Sequence, residues 1–204
     1  MQTLSPWWAS ESFWRKMAIW VTGGSFVVLI FLTFDTLTYI KAGGKQVPGY
    51  AVINKRIDYQ FNAAKNRYMP VIGQDEPLFG KRLSEAEAEA LVSKGKLTTQ
   101  AKNCMECHTL LGNGAYYAPD LTKAWLDPAW SQIWMPATGK ATREEAMAEF
   151  LMHPDKYPSW QRAMPDLKLS EEEARSVVAY LKWMSAIDTN GFPAGFGRSV
   201  VHHP

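Results

Sequence analysis

Met17 to Phe34 is a run of 18 residues without a charge, and apolar character resumes after Asp35 as far as Ile40, a stretch of 24 positions. At about 1.5 Å per residue, a helix of that length crosses a ~30 Å hydrocarbon core with some tilt. A cleaved secretory leader is the rival reading, but its apolar region usually spans only ~7–15 residues before a small-x-small cleavage site. Phe34 to Ile40 contains no such site, and Lys41-Ala42-Gly43-Gly44 is the only stretch that keeps the leader reading open. The expectation is an uncleaved membrane helix over 17–40, preceded by a cytoplasmic or interfacial arm over 1–16. Trp7, Trp8, Trp14 and Trp20 suit an interfacial belt or packing on another subunit. Asp35 either snorkels to the interface or pairs with a neighbouring helix.

Beyond the span the pattern changes. Residues 41–83 are polar, with aromatics, prolines and glycines such as Val47-Pro48-Gly49-Tyr50 and Gly73-Gln74-Asp75-Glu76-Pro77, and read as an irregular connection with room for short strands. A connection of that length is usually functional or packed on something else. Ser84-Glu85-Ala86-Glu87 is a capping box that starts a helix running to Lys94, with Gly95 expected to end it. Thr142-Arg143-Glu144-Glu145 opens a second helix through Met152, before Pro154. Ser170-Glu171-Glu172-Glu173 caps a third, in which Ala174, Val177, Val178, Leu181 and Met184 recur at helical spacing until Asp188-Thr189-Asn190-Gly191. The chain is therefore expected to be mainly α, with one domain over 84–190 and a tail over 191–204. His202 and His203 in that tail read as a solvated end rather than a metal site.

Composition narrows the class. With 204 residues, 47% apolar, 21% charged and a net charge of +2, the chain is long enough to pack a core. It has no long basic run and no phosphate-binding glycine loop, so nucleic acid is not an expected partner.

The chemistry lies in Cys104-Met105-Glu106-Cys107-His108, which contains the only two cysteines of the chain. C-x-x-C-H is the pattern by which a haem is attached covalently, two thiols bonding the porphyrin edge and the histidine taking the iron. A zinc site would need further sulfur or imidazole ligands at repeating spacing, and none is present. Covalent haem attachment is a reaction of the outer side of the bacterial inner membrane, so residues 41–204 are expected in the periplasm. The charge bias agrees only weakly, since Arg15 and Lys16 precede the span and Lys41 and Lys45 follow it.

A haem devoted to electron transfer needs a sixth ligand, and a methionine thioether raises its potential while closing the open face. Of nine methionines, Met1 and Met17 lie before or within the span, Met105 lies inside the attachment loop, and Met147, Met152 and Met184 fall in expected helices as apolar filler. Met135 and Met164 are the two candidates, each followed by proline. Met164 is preferred because Arg162-Ala163-Met164-Pro165-Asp166 is an irregular approach just before the last helix. His153 is read as a surface or supporting histidine.

The block from Cys104 to Lys123, with His108-Thr109-Leu110-Leu111-Gly112-Asn113-Gly114-Ala115-Tyr116-Tyr117-Ala118-Pro119 at its centre, resembles the small cytochrome c subunit of bacterial cytochrome-c-dependent nitric oxide reductase. So does Arg162 to Glu173. The resemblance covers 10–40 loosely and 84–188 well, whereas 41–83, Trp130 to Gly139 and the tail are longer than that family leads one to expect. It implies a class I-like cytochrome c domain with one haem c, His108 as proximal and Met164 as distal ligand. It also implies a Pro119 carbonyl that takes the histidine ring proton. Gly114 and Tyr116 match positions whose backbone oxygens help hold calcium at the large-subunit boundary, although Gly112-Asn113-Gly114 is equally a tight turn. The implied partners are a large polytopic catalytic subunit with haem b and non-haem iron, where nitric oxide becomes nitrous oxide, and a soluble cytochrome or cupredoxin donor. Two other classes share part of this pattern. One is an electron-transfer cytochrome of a haem–copper oxygen reductase or a free membrane-anchored shuttle; the other is a haem enzyme or gas sensor with an open iron face.

Overall fold

The computed structural model describes residues 6–157 and 163–196. The first helix, α1 (Glu11–Ile40), starts ahead of the charge-free run because the Ser10 side chain caps it by accepting from the Phe13 N–H at 3.2 Å. The polar first turn is thus helical too. α1 is long and apolar enough to cross a membrane, and none of its residues is buried within the chain.

α1 leaves its axis through a tight turn in which Gly44, Lys45 and Gln46 donate back to the carbonyls of Lys41, Thr38 and Tyr39. A Cβ on Gly44 would lie 2.7–2.9 Å from three carbonyl oxygens, so only glycine fits. The Gln46 carbonyl then accepts from the Asp188 N–H at 2.9 Å. That bond moors the end of α1 to the far end of the folded domain.

The 41–83 segment is folded on the domain rather than strung beside it. Glu85 accepts from the backbone of Tyr50 and Ala51 at 2.6 and 2.9 Å, and buried Asn54 exchanges two hydrogen bonds with the Leu83 backbone. Strands β1 (Lys55–Asn62) and β2 (Arg67–Asp75) form an antiparallel hairpin. Its inward residues Ile57 and Tyr59 join Val52, Ile53 and Leu78 in the same core as the helices. Alternation is too short here to be told from loop by sequence alone, so the hairpin emerges only from what it packs against.

α2 (Glu85–Ala101) and α5 (Glu171–Ser185) both begin with the expected capping boxes, at Ser84/Glu87 and Ser170/Glu173. α4 (Arg143–Met152) begins at the Thr142 cap and packs on α5. Gly95 does not end the first of these helices, as the sequence led one to expect. α2 runs on through Gly95 to Ala101, and the glycine serves a tertiary purpose: a Cβ there would fall 2.0 Å from the Ser176 carbonyl oxygen and 2.8 Å from the Tyr180 Cβ. Glycine inside a helix costs about 1 kcal/mol, which the close helix crossing offsets.

α5 is the central beam, with ten of its fifteen residues buried. Two lysines are buried with it. Lys123 donates to the Ser185 and Ile187 carbonyls at 3.1 and 2.6 Å, closing the C-terminal end of α5. Lys182 donates to the Glu76 carbonyl at 3.1 Å and lies over the Trp125 ring. Burial pushes each ammonium down to about 8, with nearby carboxylates opposing only in part.

Gly95→Ala is expected to lower stability by about 3 kcal/mol, at the upper end of overpacking costs, because backbone rather than a flexible side chain must yield. Thermal unfolding followed by far-ultraviolet circular dichroism measures this, and an unchanged midpoint would contradict it. The lysines also set a pH dependence. The unfolded chain holds these protons up to the ordinary value of 10.5, whereas the folded chain releases them near 8, so the penalty is complete below pH 8 and is relieved as pH rises toward 10.5. Between pH 7.5 and 9.5 the fold should gain about 1–2 kcal/mol per lysine, and Lys123→Met with Lys182→Met should flatten that gain in denaturant titrations.

Candidate functional site

α2 ends at Ala101 with Lys102 as its C-cap, and Asn103 turns the chain in the left-handed region at φ 53°, a conformation that asparagine tolerates better than most residues. Cys104 to Glu106 form a single 3-10 turn in which the Cys107 and His108 N–H groups both donate to the Cys104 carbonyl. Neither cysteine is in a disulfide and both are half-buried, and burial pushes the Cys104 thiol up.

The His108 ring is held by its Nδ1, 2.7 Å from the Pro119 carbonyl oxygen. A carbonyl only accepts, so Nδ1 carries the proton and Nε2 is left with its lone pair outward, the tautomer a metal-binding imidazole needs. The loop that brings Pro119 there is laced to the motif at every step. Ala115 donates to the Met105 carbonyl at 3.0 Å, Ala118 to Cys107 at 2.8 Å and Leu121 to Thr109 at 2.7 Å. Asp120 accepts from the Thr109 hydroxyl and the Thr122 N–H, and the Thr122 hydroxyl accepts from the Leu111 N–H. Thr109, Asp120 and Thr122 do not stand out in the sequence, although Asp after Pro in a turn is a signal for such side-chain to backbone bonding.

Gly114 sits against the motif itself, at φ 118°, where a Cβ would lie 2.2 Å from the His108 carbonyl oxygen. Gly112, at φ 79°, has only the Phe192 ring within reach at 3.6 Å. Tyr116 is 82% exposed and Tyr117 is exposed beside it.

The two methionines left open by the sequence occupy different places. Met164 is half-buried in the extended stretch ahead of α5. That stretch is moored to the motif's own approach, because Lys102, two residues before Cys104, donates to the Leu167 and Lys168 carbonyls at 3.3 and 3.4 Å. Met135 begins the one-turn helix α3 (Met135–Thr138), which packs on α4 and on the turn at Trp130–Trp134. In that turn Trp130 and Trp134 close on Phe150 of α4, with ring centroids 6.0 and 4.7 Å away, so the long 130–139 segment has an intramolecular role. Met147 and Met184 are core residues, and His153 forms the C-terminal boundary of α4. Arg162, His202 and His203 lie outside the described residues.

Two free thiols in one turn, followed by an imidazole with Nδ1 engaged, are the donor set that a covalent haem requires. Among the described residues no group of three or more His, Cys, Asp or Glu side chains is arranged to hold a metal ion.

Residues 92–185 match the family model for cytochrome c, with Cys104, Cys107 and His108 inside the matched segment. The C subunit of nitric oxide reductase from Stutzerimonas stutzeri is 33% identical over 118 residues, covering 58% of this chain and 75% of that protein. The chain belongs to the family of nitric oxide reductase C subunits. The corresponding protein from Paracoccus denitrificans is 28% identical over 113 residues, covering 55% of this chain and 71% of the relative, and that from Halomonas halodenitrificans is 28% identical over 110, covering 54% and 69%. This family member is a c-type cytochrome with covalently bound haem, built as a mainly helical domain behind one long apolar N-terminal helix.

The two glycines should separate on substitution. Gly114→Ala must displace the His108 carbonyl and is expected to leave little haem-loaded protein, whereas Gly112→Ala bears only the strain of its backbone, about 1–2 kcal/mol. Haem staining per unit of chain checks this, and equal staining of both variants would contradict it.

Proposed function

We propose that this chain is the electron-entry subunit of a nitric oxide reductase. It takes single electrons from a soluble periplasmic cytochrome or cupredoxin and passes them to a large catalytic subunit, where two nitric oxide molecules become nitrous oxide and water. The observation that carries this reading is the His108 Nδ1 to Pro119 carbonyl contact at 2.7 Å within a C-x-x-C-H turn, in a member of this family. When bound, the haem supplies a one-electron iron couple that is stable in both oxidation states.

The chain's own residues determine how that couple is used. Cys104 and Cys107 would hold the porphyrin edge through thioether bonds, and His108 Nε2 would ligate the iron. Pro119 keeps the Nδ1 proton in place and so fixes ring orientation and basicity. Met164 would supply the second iron ligand, which would reserve the site for electron transfer rather than for binding of small ligands. Lys102 supports that assignment by tethering the Met164 segment to the end of α2. One haem is expected, since the two cysteines form one motif.

The domain lies in the periplasm, held at the inner membrane by α1. The loop carrying Gly114 and Tyr116 would face the large subunit, where their backbone oxygens would be donors to an interfacial calcium ion, and Tyr116 is exposed enough for such a contact.

In the complex purified from membranes, a polytopic partner containing haem b and non-haem iron should accompany this chain. Met164→Ala should lower the potential of its haem and let ferrous haem bind carbon monoxide, while Met135→Ala should leave both unchanged. The reverse pattern would move the distal ligand to Met135, and a wild-type haem that binds carbon monoxide would overturn the relay.

A further inference from the structure

A cleft of about 620 Å³ lies where α1 meets the domain, well within the ~300–1,000 Å³ typical of small-molecule sites. Leu111, three residues past the haem motif, reaches its edge, but neither Cys104–His108 nor Met164 lines it. Ile40, the last residue of α1, forms part of its wall together with Val47 and Tyr50 from the connector and Trp183, Met184 and Ile187 from the end of α5. Because Ile40 is also the end of the apolar run, the cleft opens at the level where the helix leaves the hydrocarbon.

The wall's polar groups are already satisfied from within. The Trp183 indole N–H donates to the Pro48 carbonyl at 3.2 Å, the Gln46 amide donates to Asn190 at 3.4 Å, and the Asp188 carboxylate is held by Arg67 at 2.9 Å. Tyr50 and Trp183 stack with centroids 5.3 Å apart. Such a surface offers an occupant apolar contact and few hydrogen bonds. The cleft also has cationic groups beside its apolar wall, since Lys96 lines it and Lys41 follows Ile40 directly in the chain. An apolar interior with a cationic rim at the membrane surface matches one chemical form, an acyl chain carrying a phosphate headgroup.

We propose that this cleft binds a membrane phospholipid, one acyl chain lying between the connector and α5 with its phosphate near Lys96. The proposal rests on the reading of α1 as a membrane span. The bound lipid fills the gap between helix and domain, and so stiffens the junction that sets the height of the haem above the bilayer.

The intact complex, reconstituted in nanodiscs containing a phospholipid with a diazirine at mid-chain, is irradiated and its adducts are mapped by mass spectrometry. Adducts are expected both in α1 and on peptides containing Val47–Tyr50 and Trp183–Ile187. Ser93, an exposed residue on the cleft wall, allows occlusion without disturbing the core. Ser93→Trp should cut the cleft adducts at least fivefold while leaving those in α1 and the haem spectrum unchanged. Adducts confined to α1, or cleft adducts indifferent to Ser93→Trp, overturn the lipid site while keeping the span. Absence of adducts from α1 overturns the span and the site with it.

Discussion

Everything about the haem site follows from the crossing of α2 and α5 at Gly95. The end of α2 delivers the C-x-x-C-H turn, and the segment leading into α5 carries Met164, the ligand proposed above, so the crossing sets how two sequence-distant elements stand to each other. The approach is backbone to helix, with no room for even a methyl group at Gly95. A contact that tolerates no side chain has a single geometry, and interiors packed at crystal density pass that geometry on to their neighbours. Lys102 adds a local tether between the same two regions.

The second constraint is the tie between helix and domain. α1 carries no buried residue of its own, so its orientation relative to the domain depends on a short turn that admits only glycine at position 44 and on the Gln46 to Asp188 backbone bond. The connector and hairpin reinforce it by covering α5 and engaging the surroundings of both buried lysines, through Glu76 for Lys182 and the Tyr59 ring for Lys123. Lysines held by carbonyls rather than carboxylates are costly at neutral pH. Their presence at the hairpin interface and at the end of α5 couples those elements to proton activity.

Sequence and structure part company at identifiable residues. Gly95 looks like a helix stop because its local preference is for termini, and a contact with residues some eighty positions later overrides that preference. Residues 41–83 look like connection because alternation over a short strand is faint, yet Ile57 and Tyr59 are core. The Thr109, Asp120 and Thr122 lacing is invisible in the sequence because each residue is unremarkable alone. The 130–139 segment, longer than the family resemblance suggests, packs its tryptophans on Phe150 of the same chain.

What the sequence determined by itself was whatever depends on residues close together along the chain. The long apolar run, the two capping boxes and the Thr142 cap, and the five-residue haem signature were all legible, because helix nucleation and covalent attachment are local chemistry. Tertiary structure alone decided where α2 could touch α5, how Thr109, Asp120 and Thr122 lace the loop to the motif, what fills the space under the hairpin, and how α1 is joined to the domain. Those outcomes depend on distances between groups tens of residues apart, which only the packed chain defines.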